Sequence, residues 1–134
     1  MGTSMEKSIA QATESNTSHS PITLRIDWNH LHAICDGDEE FELELLRTFA
    51  EDTQLHLAEM ETAIAVQDFD QLEQQAHYIK GASANIGLMT VQATAIELEY
   101  QAHQKQLSDA FQLLSKIQHS LKEVQFFLTS KGLR

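Results

Sequence analysis

Cysteine, proline and glycine are scarce in this sequence, with one, one and five residues among 134. The single cysteine, Cys35, excludes an intrachain disulfide and favours a reducing compartment. Pro21 is the only proline, so only there would a pyrrolidine ring interrupt a helix. Residues with β-branched side chains never form the long alternating run that is typical of a strand. The abundance of Ala, Leu, Glu and Gln instead favours an all-α domain.

Positive charge and long apolar runs are also scarce. Nine Lys and Arg stand against 20 Asp and Glu, which gives a net charge of −11. This excess argues against nucleic acid and against an anionic membrane surface, because both attract clustered basic side chains. No stretch approaches the roughly 20 apolar residues of a membrane-spanning helix, and the N-terminus lacks the order of a signal peptide. We therefore expect a cytoplasmic monomer that binds neither nucleic acid nor membrane.

The composition changes near residue 21. Residues 1–21 are rich in Ser, Thr, Gln and Asn and poor in large apolar side chains, so we predict a flexible tail there. Residues 22–134 are long enough to bury a core of their own, and we predict that they form one domain.

Apolar residues recur in steps of three and four along most of this domain, which predicts amphipathic helices. The predicted inward positions are Leu46, Phe49, Thr53, Leu57, Met60 and Ile64; Leu72, Ala76, Ile79, Ser83 and Ile86; Val91, Ala95, Leu98 and Ala102; and Phe111, Leu114, Ile117, Leu121, Val124 and Leu128. Four such helices with short loops predict an antiparallel four-helix bundle. A short additional N-terminal helix, from Trp28 to Ile34, is predicted to cover it as a lid.

Polar residues and glycine mark the predicted helix ends. The expected N-terminal capping residues are Asp27, Thr90 and Ser108, while Asp38 is expected to open a long helix and Asp68 to mark the break before the next one. Gly87 is expected to end its helix in the left-handed conformation.

The stretch QQAHYIKGASANIGL, residues 74–88, places His77 beside a lysine and a glycine within a predicted helix. At about 100° per residue, His77 lies about 140° and Gly81 about 180° from the apolar stripe, so both face outward. A mid-helix glycine costs about 1 kcal/mol relative to alanine, but it clears space beside the ring, and Ala84 keeps the next turn low. Lys80 lies near the ring, where its ammonium can approach an anionic group bound there.

An exposed imidazole with a cleared approach and a nearby cation suits a nucleophile that accepts a phosphoryl group. Neutral imidazole attacks through one ring nitrogen, while the other N–H needs an acceptor to orient it. The spacing alone leaves a plainer interpretation open, in which His77 is an ordinary surface histidine and Gly81 accommodates packing.

The sequence AHYIKGASANIGL, with a later Leu-Glu pair, resembles the signature of the histidine-containing phosphotransfer (Hpt) domain of two-component phosphorelays. The matching residues are His77, Lys80, Gly81, Ser83, Gly87, Leu98 and Glu99, with Ile79 in the place of a leucine. The resemblance implies a four-helix bundle whose His77 accepts a phosphoryl group from a receiver-domain aspartate and passes it to another response regulator. It also implies an upstream hybrid histidine kinase and no autokinase activity. No cofactor is expected on this chain, because receivers supply Mg²⁺ and the catalytic residues.

The resemblance also assigns roles around the histidine. Lys80 would support the phosphate, and a residue at the position of Glu99 often hydrogen-bonds the ring nitrogen that is not phosphorylated. Glutamine is frequent there, so the glutamate is a departure, and an ordinary solvated acid remains the alternative. Receiver docking is predicted to centre on His77 with Glu73, Lys80, Gly81 and Ala84, ringed by apolar groups of neighbouring helices.

Other functions fit the residues less well. Histidine-kinase dimerisation helices usually place an acid directly after the histidine, where this sequence has Tyr78. The remaining histidines, at positions 19, 30, 32, 56, 103 and 119, lack both the pattern around His77 and a metal-ligand cluster, so no metal is predicted. A hydrolase would need a nucleophile, but Ser83 lies on the predicted buried stripe. A non-catalytic helical interaction scaffold is the main alternative.

Overall fold

The computed structural model describes residues 24–132, and within them it contains five α-helices and no strand. They are α1 (Trp28–Ile34), α2 (Glu39–Val66), α3 (Phe69–Ile86), α4 (Met89–His103) and α5 (Ala110–Ser130). Helices α2 and α4 each pack beside both α3 and α5, while α1 lies against α2. Turns of two residues join α2 to α3 and α3 to α4, so consecutive helices run antiparallel. The predicted all-α four-helix bundle with a short N-terminal helix is confirmed.

Some predictions fall outside this range. The predicted flexible tail, residues 1–21, lies outside the described residues, as does the proposed domain start at residue 22. No helix within residues 24–132 is both long enough and apolar enough to cross a membrane.

Aspartate side chains cap the first three helices: the sequence predicted a cap at Asp27, a helix start at Asp38 and a break at Asp68. Asp27, Asp38 and Asp68 each accept a hydrogen bond from the backbone N–H three residues further on, at 3.1 to 3.2 Å. These bonds satisfy amides that no helical carbonyl can reach. Gly87 ends α3 with φ of 83°, a conformation that glycine adopts without a steric penalty.

The predicted cap of α4 is wrong. This helix begins at Met89, so Thr90 lies in its first turn, and the preceding Leu88 makes no side-chain cap bond. Leu88 is only 2% exposed, and the carbonyl of Gly87 accepts a 2.8 Å hydrogen bond from the N–H of Asp27. Burial of a leucine and a contact with the start of α1 therefore fix where α4 begins, in place of a polar cap.

The start of α5 also differs from the prediction. Its N-terminal residue is Ala110, preceded by Asp109 rather than by Ser108 as the cap residue. Ala110 is fully buried, whereas Phe111, predicted to face inward, is 54% exposed. At the N-terminus of α5 the buried face is formed by Ala110 and Leu113. The apolar face of a helix is wide enough that either of two adjacent residues can fill the buried position at its end.

The core otherwise follows the sequence pattern. Every predicted inward residue of α2, α3 and α4 is buried. The hydroxyl of Ser83 donates to the carbonyl of Ile79 at 2.6 Å, so this polar side chain is satisfied within its own helix. Ser83 is therefore a small packing residue of α3 and has no access to a substrate.

Helix α1 covers one side of the bundle. Leu31 and Cys35 are buried, and the ring of Trp28 lies 5.4 Å from that of Phe127 on α5. Burial, followed by the negative charge of Glu42, raises the pKa of the Cys35 thiol. The thiol therefore stays protonated at neutral pH and belongs to the core.

Candidate functional site

Helix α3 presents His77 to solvent at its seam with α4. Because the whole inward stripe of α3 is buried, position 77 is turned outward, and its side chain is 67% exposed. The direction of His77 thus follows from the phase of the helix.

Glu99 on α4 holds the ring of His77. Nδ1 of His77 lies 2.7 Å from Oε2 of Glu99. An ionised carboxylate can only accept a hydrogen bond, so Nδ1 carries the proton and Nε2 keeps its lone pair. No group within residues 24–132 hydrogen-bonds Nε2, which leaves this nitrogen accessible to an electrophile.

Lys80 reaches the other oxygen of the same carboxylate. Its Nζ lies 2.7 Å from Oε1 of Glu99, so the ammonium pairs with the acid that orients the ring. Burial by itself raises the pKa of Glu99, but the hydrogen bonds from Lys80 and His77 outweigh it, and the net pKa lies below the ordinary value. Glu99 is therefore ionised at neutral pH, as the assignment of the ring proton requires.

The lowered pKa of Glu99 predicts a pH-dependent stability. Because the folded-state pKa lies below the ordinary value of 4.5, the contribution is complete above pH 4.5 and is lost as the pH falls through the folded value. We expect Glu99→Gln to lower the free energy of unfolding by about 1 kcal/mol at neutral pH. Denaturant unfolding from neutral pH down to pH about 3 should show this difference shrinking in acid.

A matched control is Glu61→Gln, an exposed acid of α2 with no ion pair among the described residues. This variant should unfold like the wild type at every pH. A Glu99→Gln deficit that stays constant down to the acid limit would contradict the ion-pair interpretation.

Gly81 follows His77 by one turn on the outward face of α3. A Cβ built on Gly81 would meet no heavy atom within 4 Å outside its own stretch of helix. Packing therefore does not require a glycine here, and the packing explanation that the sequence left open is wrong. The missing side chain leaves open space beside the His77 ring, while the half-buried Ala84 continues this low surface.

A second carboxylate–histidine pair joins α3 to α4 one helical turn away from His77 and Glu99. Glu73, predicted as a docking residue, lies four residues before His77, and its Oε2 is 3.1 Å from Nδ1 of His103. His103 in turn follows Glu99 by four residues, as the antiparallel register of α3 and α4 requires. The sequence pattern predicted no role for His103, but the antiparallel register places it opposite Glu73 once His77 lies opposite Glu99.

The family of the chain follows from this region and the helices around it. The model of the Hpt domain family matches residues 44–126, more than half of the chain. The chain belongs to the Hpt domain family. The match includes both helices that meet at His77 and Glu99.

Individual relatives agree with this assignment. The chain is 26% identical over 102 residues to the phosphorelay intermediate protein rdeA of Dictyostelium discoideum; the match covers 76% of this chain but only 40% of that protein. Among solved structures, histidine-containing phosphotransfer protein B from Pseudomonas aeruginosa PAO1 has a TM-score of 0.73 at 25% identity, over 81% of this chain and 95% of that chain. The HPT domain of an Hpt sensor hybrid histidine kinase from Shewanella, with a TM-score of 0.66 and 19% identity over 79% and 95% of the two chains, shares the fold.

The predicted family and class of function are thus confirmed. The chain is a histidine phosphotransfer domain of the kind found in two-component phosphorelays. The roles of its individual residues rest on the geometry described above.

Tyr78, the residue after His77, connects helix α3 to helix α2 in the Hpt domain. Its hydroxyl donates to Oδ2 of Asp52 at 2.6 Å, and its ring stacks on His56 with centroids 4.1 Å apart. The hydrogen bond to Asp52, followed by burial, raises the pKa of Tyr78, so the phenol remains a neutral donor. These contacts join α2 to α3 beside His77.

An open depression of about 610 Å³ lies beside His77 in the Hpt domain. Its lining residues are Asp70, Glu73, Gln74, His77, Tyr78 and Glu99. Asp70 and Glu73 make this space acidic, whereas Lys80 offsets the charge of Glu99. A free phosphate dianion is disfavoured next to the two other carboxylates, because like charges repel. A larger groove, of about 990 Å³ between α4 and α5, contains none of the predicted site residues.

Proposed function

We propose that this Hpt domain is a phosphorelay intermediate. Nε2 of His77 accepts a phosphoryl group from the aspartyl phosphate of one receiver domain and passes it to the aspartate of another response regulator. The observation that carries this proposal is the bond between Nδ1 of the exposed His77 ring and Glu99. It fixes the tautomer and leaves the nucleophilic nitrogen towards solvent.

Each transfer is a displacement at phosphorus. The lone pair of Nε2 forms the new P–N bond as the P–O bond to the receiver's aspartate breaks, and the carboxylate leaves with the electron pair. The ring becomes an N-phosphorylated imidazolium that keeps its Nδ1 proton, and Glu99 stabilises its positive charge through a charge-assisted hydrogen bond. Transfer to the next receiver reverses these steps.

The partner supplies what this surface lacks. The depression beside His77 carries the uncompensated carboxylate of Asp70 and that of Glu73, while Lys80 offsets the charge of Glu99. A phosphoryl group is therefore best received with its own charge compensated, for which the Mg²⁺ of a receiver domain is suited. The domain then needs no cofactor of its own and has no autokinase activity. Its partners are receiver domains and an upstream hybrid histidine kinase, which it meets as a monomer in the cytoplasm.

The test of this function uses receiver domains from the same genome, each loaded from radiolabelled acetyl phosphate. At least one should label the wild-type chain with phosphate that is labile in acid and stable in base, and a second receiver should remove that label. Binding of receivers without any transfer of label would favour the interaction scaffold instead.

Lys80 is proposed to assist transfer without being essential. Its ammonium neutralises Glu99 and lies one turn from the ring, so it can also approach the bound phosphoryl group. Lys80→Ala should slow transfer about fivefold, the equivalent of about 1 kcal/mol for an exposed ion pair. The measurement is the rate of label transfer from a saturating receiver.

The conservative variant separates charge from structure. Lys80→Arg keeps the positive charge and should transfer label within about twofold of the wild type, less than 0.5 kcal/mol. Complete loss of transfer in Lys80→Ala would show that the lysine is a catalytic group, and loss of folding would show that its role is structural.

A further inference from the structure

A groove between α4 and α5 lies apart from the site of His77. Its volume is about 990 Å³, at the upper end of the range of about 300 to 1,000 Å³ that is common for ligand sites. Along α5 its lining extends from Gln112 to Glu123, about 16 Å of helix. Leu24 and Ile26, which precede α1, also line it. We call this space the α4–α5 groove.

The α4–α5 groove has an apolar wall. Leu88 and Val91 line it as buried residues, and the exposed Met89 lies next to them on α4. Leu24 and Ile26 add partly buried aliphatic side chains. An aliphatic chain lying along the groove would remove this surface from water, which stabilises a complex in proportion to the apolar area covered.

The first turn of α4 lines the same groove and leaves amides unsatisfied. Leu88 makes no side-chain cap bond, and the N–H groups of Met89, Thr90 and Val91 have no acceptor within residues 24–132. The first N–H of this helix that finds a carbonyl is that of Gln92, which bonds to Leu88. Free amides at the positive end of a helix dipole attract an anion.

Ser120 is a second, independent polar group in the groove. This residue of α5 lines the groove and is only 7% exposed. The buried hydroxyls of Ser83 and Thr94 donate to carbonyls of their own helices, at 2.6 and 2.8 Å, whereas the hydroxyl of Ser120 has no hydrogen-bond partner in the described part of the chain. It is therefore satisfied only from the groove, by water or by an oxygen of a ligand.

The charges that line the groove are mainly positive. Arg25 and Lys116 make no ion pair within residues 24–132, unlike Lys80. Glu123 is the one carboxylate among the lining residues, and it lies 3.5 Å from Nε2 of His119, which also lines the groove. The chain carries a net charge of −11, but at physiological ionic strength charges beyond about 8 Å are largely screened. The local charge therefore favours an anion.

We propose that the α4–α5 groove binds an aliphatic carboxylate. The carboxylate accepts hydrogen bonds from the amides of the first turn of α4 and from the hydroxyl of Ser120, and the aliphatic chain covers Leu88 and Val91. A ligand with one anionic head and one apolar chain fits because the free donors and the apolar wall belong to the same groove. The inference goes beyond the proposed function and does not depend on it, since the groove shares no lining residue with the depression beside His77.

The test is a titration of the full chain with decanoate below its micelle concentration, followed by amide chemical shifts. The shifts should saturate and concentrate in residues 88–94 and 112–123. Octanoate should bind about fourfold more weakly, as expected for two half-buried methylene groups. Decanol and decyltrimethylammonium keep the chain without the negative head, and inorganic phosphate has no chain, so each should bind about tenfold more weakly or worse.

A pair of variants at Met89 isolates the amides. Met89→Pro removes one N–H at the first helical position, where proline is tolerated, and Met89→Ala removes the same side chain but keeps the amide. Decanoate should bind Met89→Pro about fivefold more weakly than Met89→Ala, the effect of one hydrogen bond to a charged group.

Variants on α5 test the other groups of the groove. Ser120→Ala should weaken decanoate binding about fivefold by the same reasoning, and Lys116→Gln should weaken it about twofold at low salt. The matched control is Lys122→Gln, an exposed lysine of α5 that does not line the groove and should bind decanoate like the wild type.

Several outcomes would contradict the inference. Equal binding of decanoate and decanol would show that the groove has no site for a carboxylate. Equal binding by Met89→Pro and Met89→Ala would show that the amides of α4 do not hold the head. Shifts that fail to saturate, or that spread over the whole chain, would overturn the proposal and leave the groove to a protein partner. In each of these cases the proposed phosphotransfer at His77 stands or falls by its own test.

Discussion

Replacement of His77 by glutamine will abolish phosphate uptake from a receiver domain. An amide nitrogen has no available lone pair, so glutamine cannot form the P–N bond. The side chain is 67% exposed, and glutamine can still hydrogen-bond Glu99, so the free energy of unfolding should change by no more than about 1 kcal/mol. The measurements are label uptake from a loaded receiver and denaturant unfolding of the same preparation.

His103 offers a closely matched control for this variant. Its side chain is 69% exposed, and its Nδ1 is held by a carboxylate across the same seam, as in His77. It has no open glycine position one turn further on and no lysine three residues along. His103→Gln should therefore keep full label uptake. Uptake by His77→Gln at the wild-type level would mean that another residue is the phosphoacceptor.

Gly81→Gln should stabilise the domain and yet slow phosphotransfer. A Cβ at this position meets no heavy atom within 4 Å outside its own stretch of helix, and glutamine is a better helix former than glycine by about 0.5 kcal/mol. The longer side chain would occupy the space beside the His77 ring through which a receiver approaches. We expect transfer from a loaded receiver to slow about tenfold or more, equivalent to about 1.4 kcal/mol of lost contact.

The opposite signs of the two effects make this prediction specific. A loss of transfer caused by unfolding would come with a lower melting temperature, whereas obstruction comes with an equal or higher one. Gly81→Ala provides a graded comparison, because its single methyl group improves helix propensity and reaches less far over the ring. Unchanged transfer in Gly81→Gln would show that receivers do not approach over this turn.

Glu99 adds a negative charge to this site, which a glutamine at the same position would not. A neutral amide would orient the ring without adding charge, whereas the carboxylate of Glu99 also stabilises a cationic ring and requires a counter-ion. Lys80 meets that requirement at 2.7 Å, which is why its ammonium lies against Glu99. The sequence predicted that Lys80 lies near a phosphoryl group bound to the ring, and the structure adds the pairing of Lys80 with the acid that holds the histidine.

The family, the helices and the outward direction of His77 could all be predicted from the sequence. The stripes of α2, α3 and α4, with the caps Asp27, Asp38 and Asp68, depend on residues within one helix or its first turn. The positions of residues around a helix repeat every 3.6 residues, so the buried face of each helix can be predicted from the spacing of its apolar residues.

The helix ends that were predicted wrongly depend on distant contacts. The start of α4 is set by the burial of Leu88 and by the bond between Gly87 and Asp27, which are 60 residues apart in the chain. The start of α5 is set by which of two neighbours, Ala110 or Phe111, fills the buried position. A polar residue near a helix end predicts a cap only where no such packing competes.

The sequence by itself determined that this chain is an Hpt domain with an exposed histidine beside a glycine and a lysine, because these features belong to one helix and one motif. Only the tertiary structure decided which groups meet across the helix seams. The bond of His77 to Glu99 and the pairing of Glu73 with His103 both depend on the register of α3 against α4. That register is set by how the buried faces of the two helices pack, and periodicity within one helix carries no information about it.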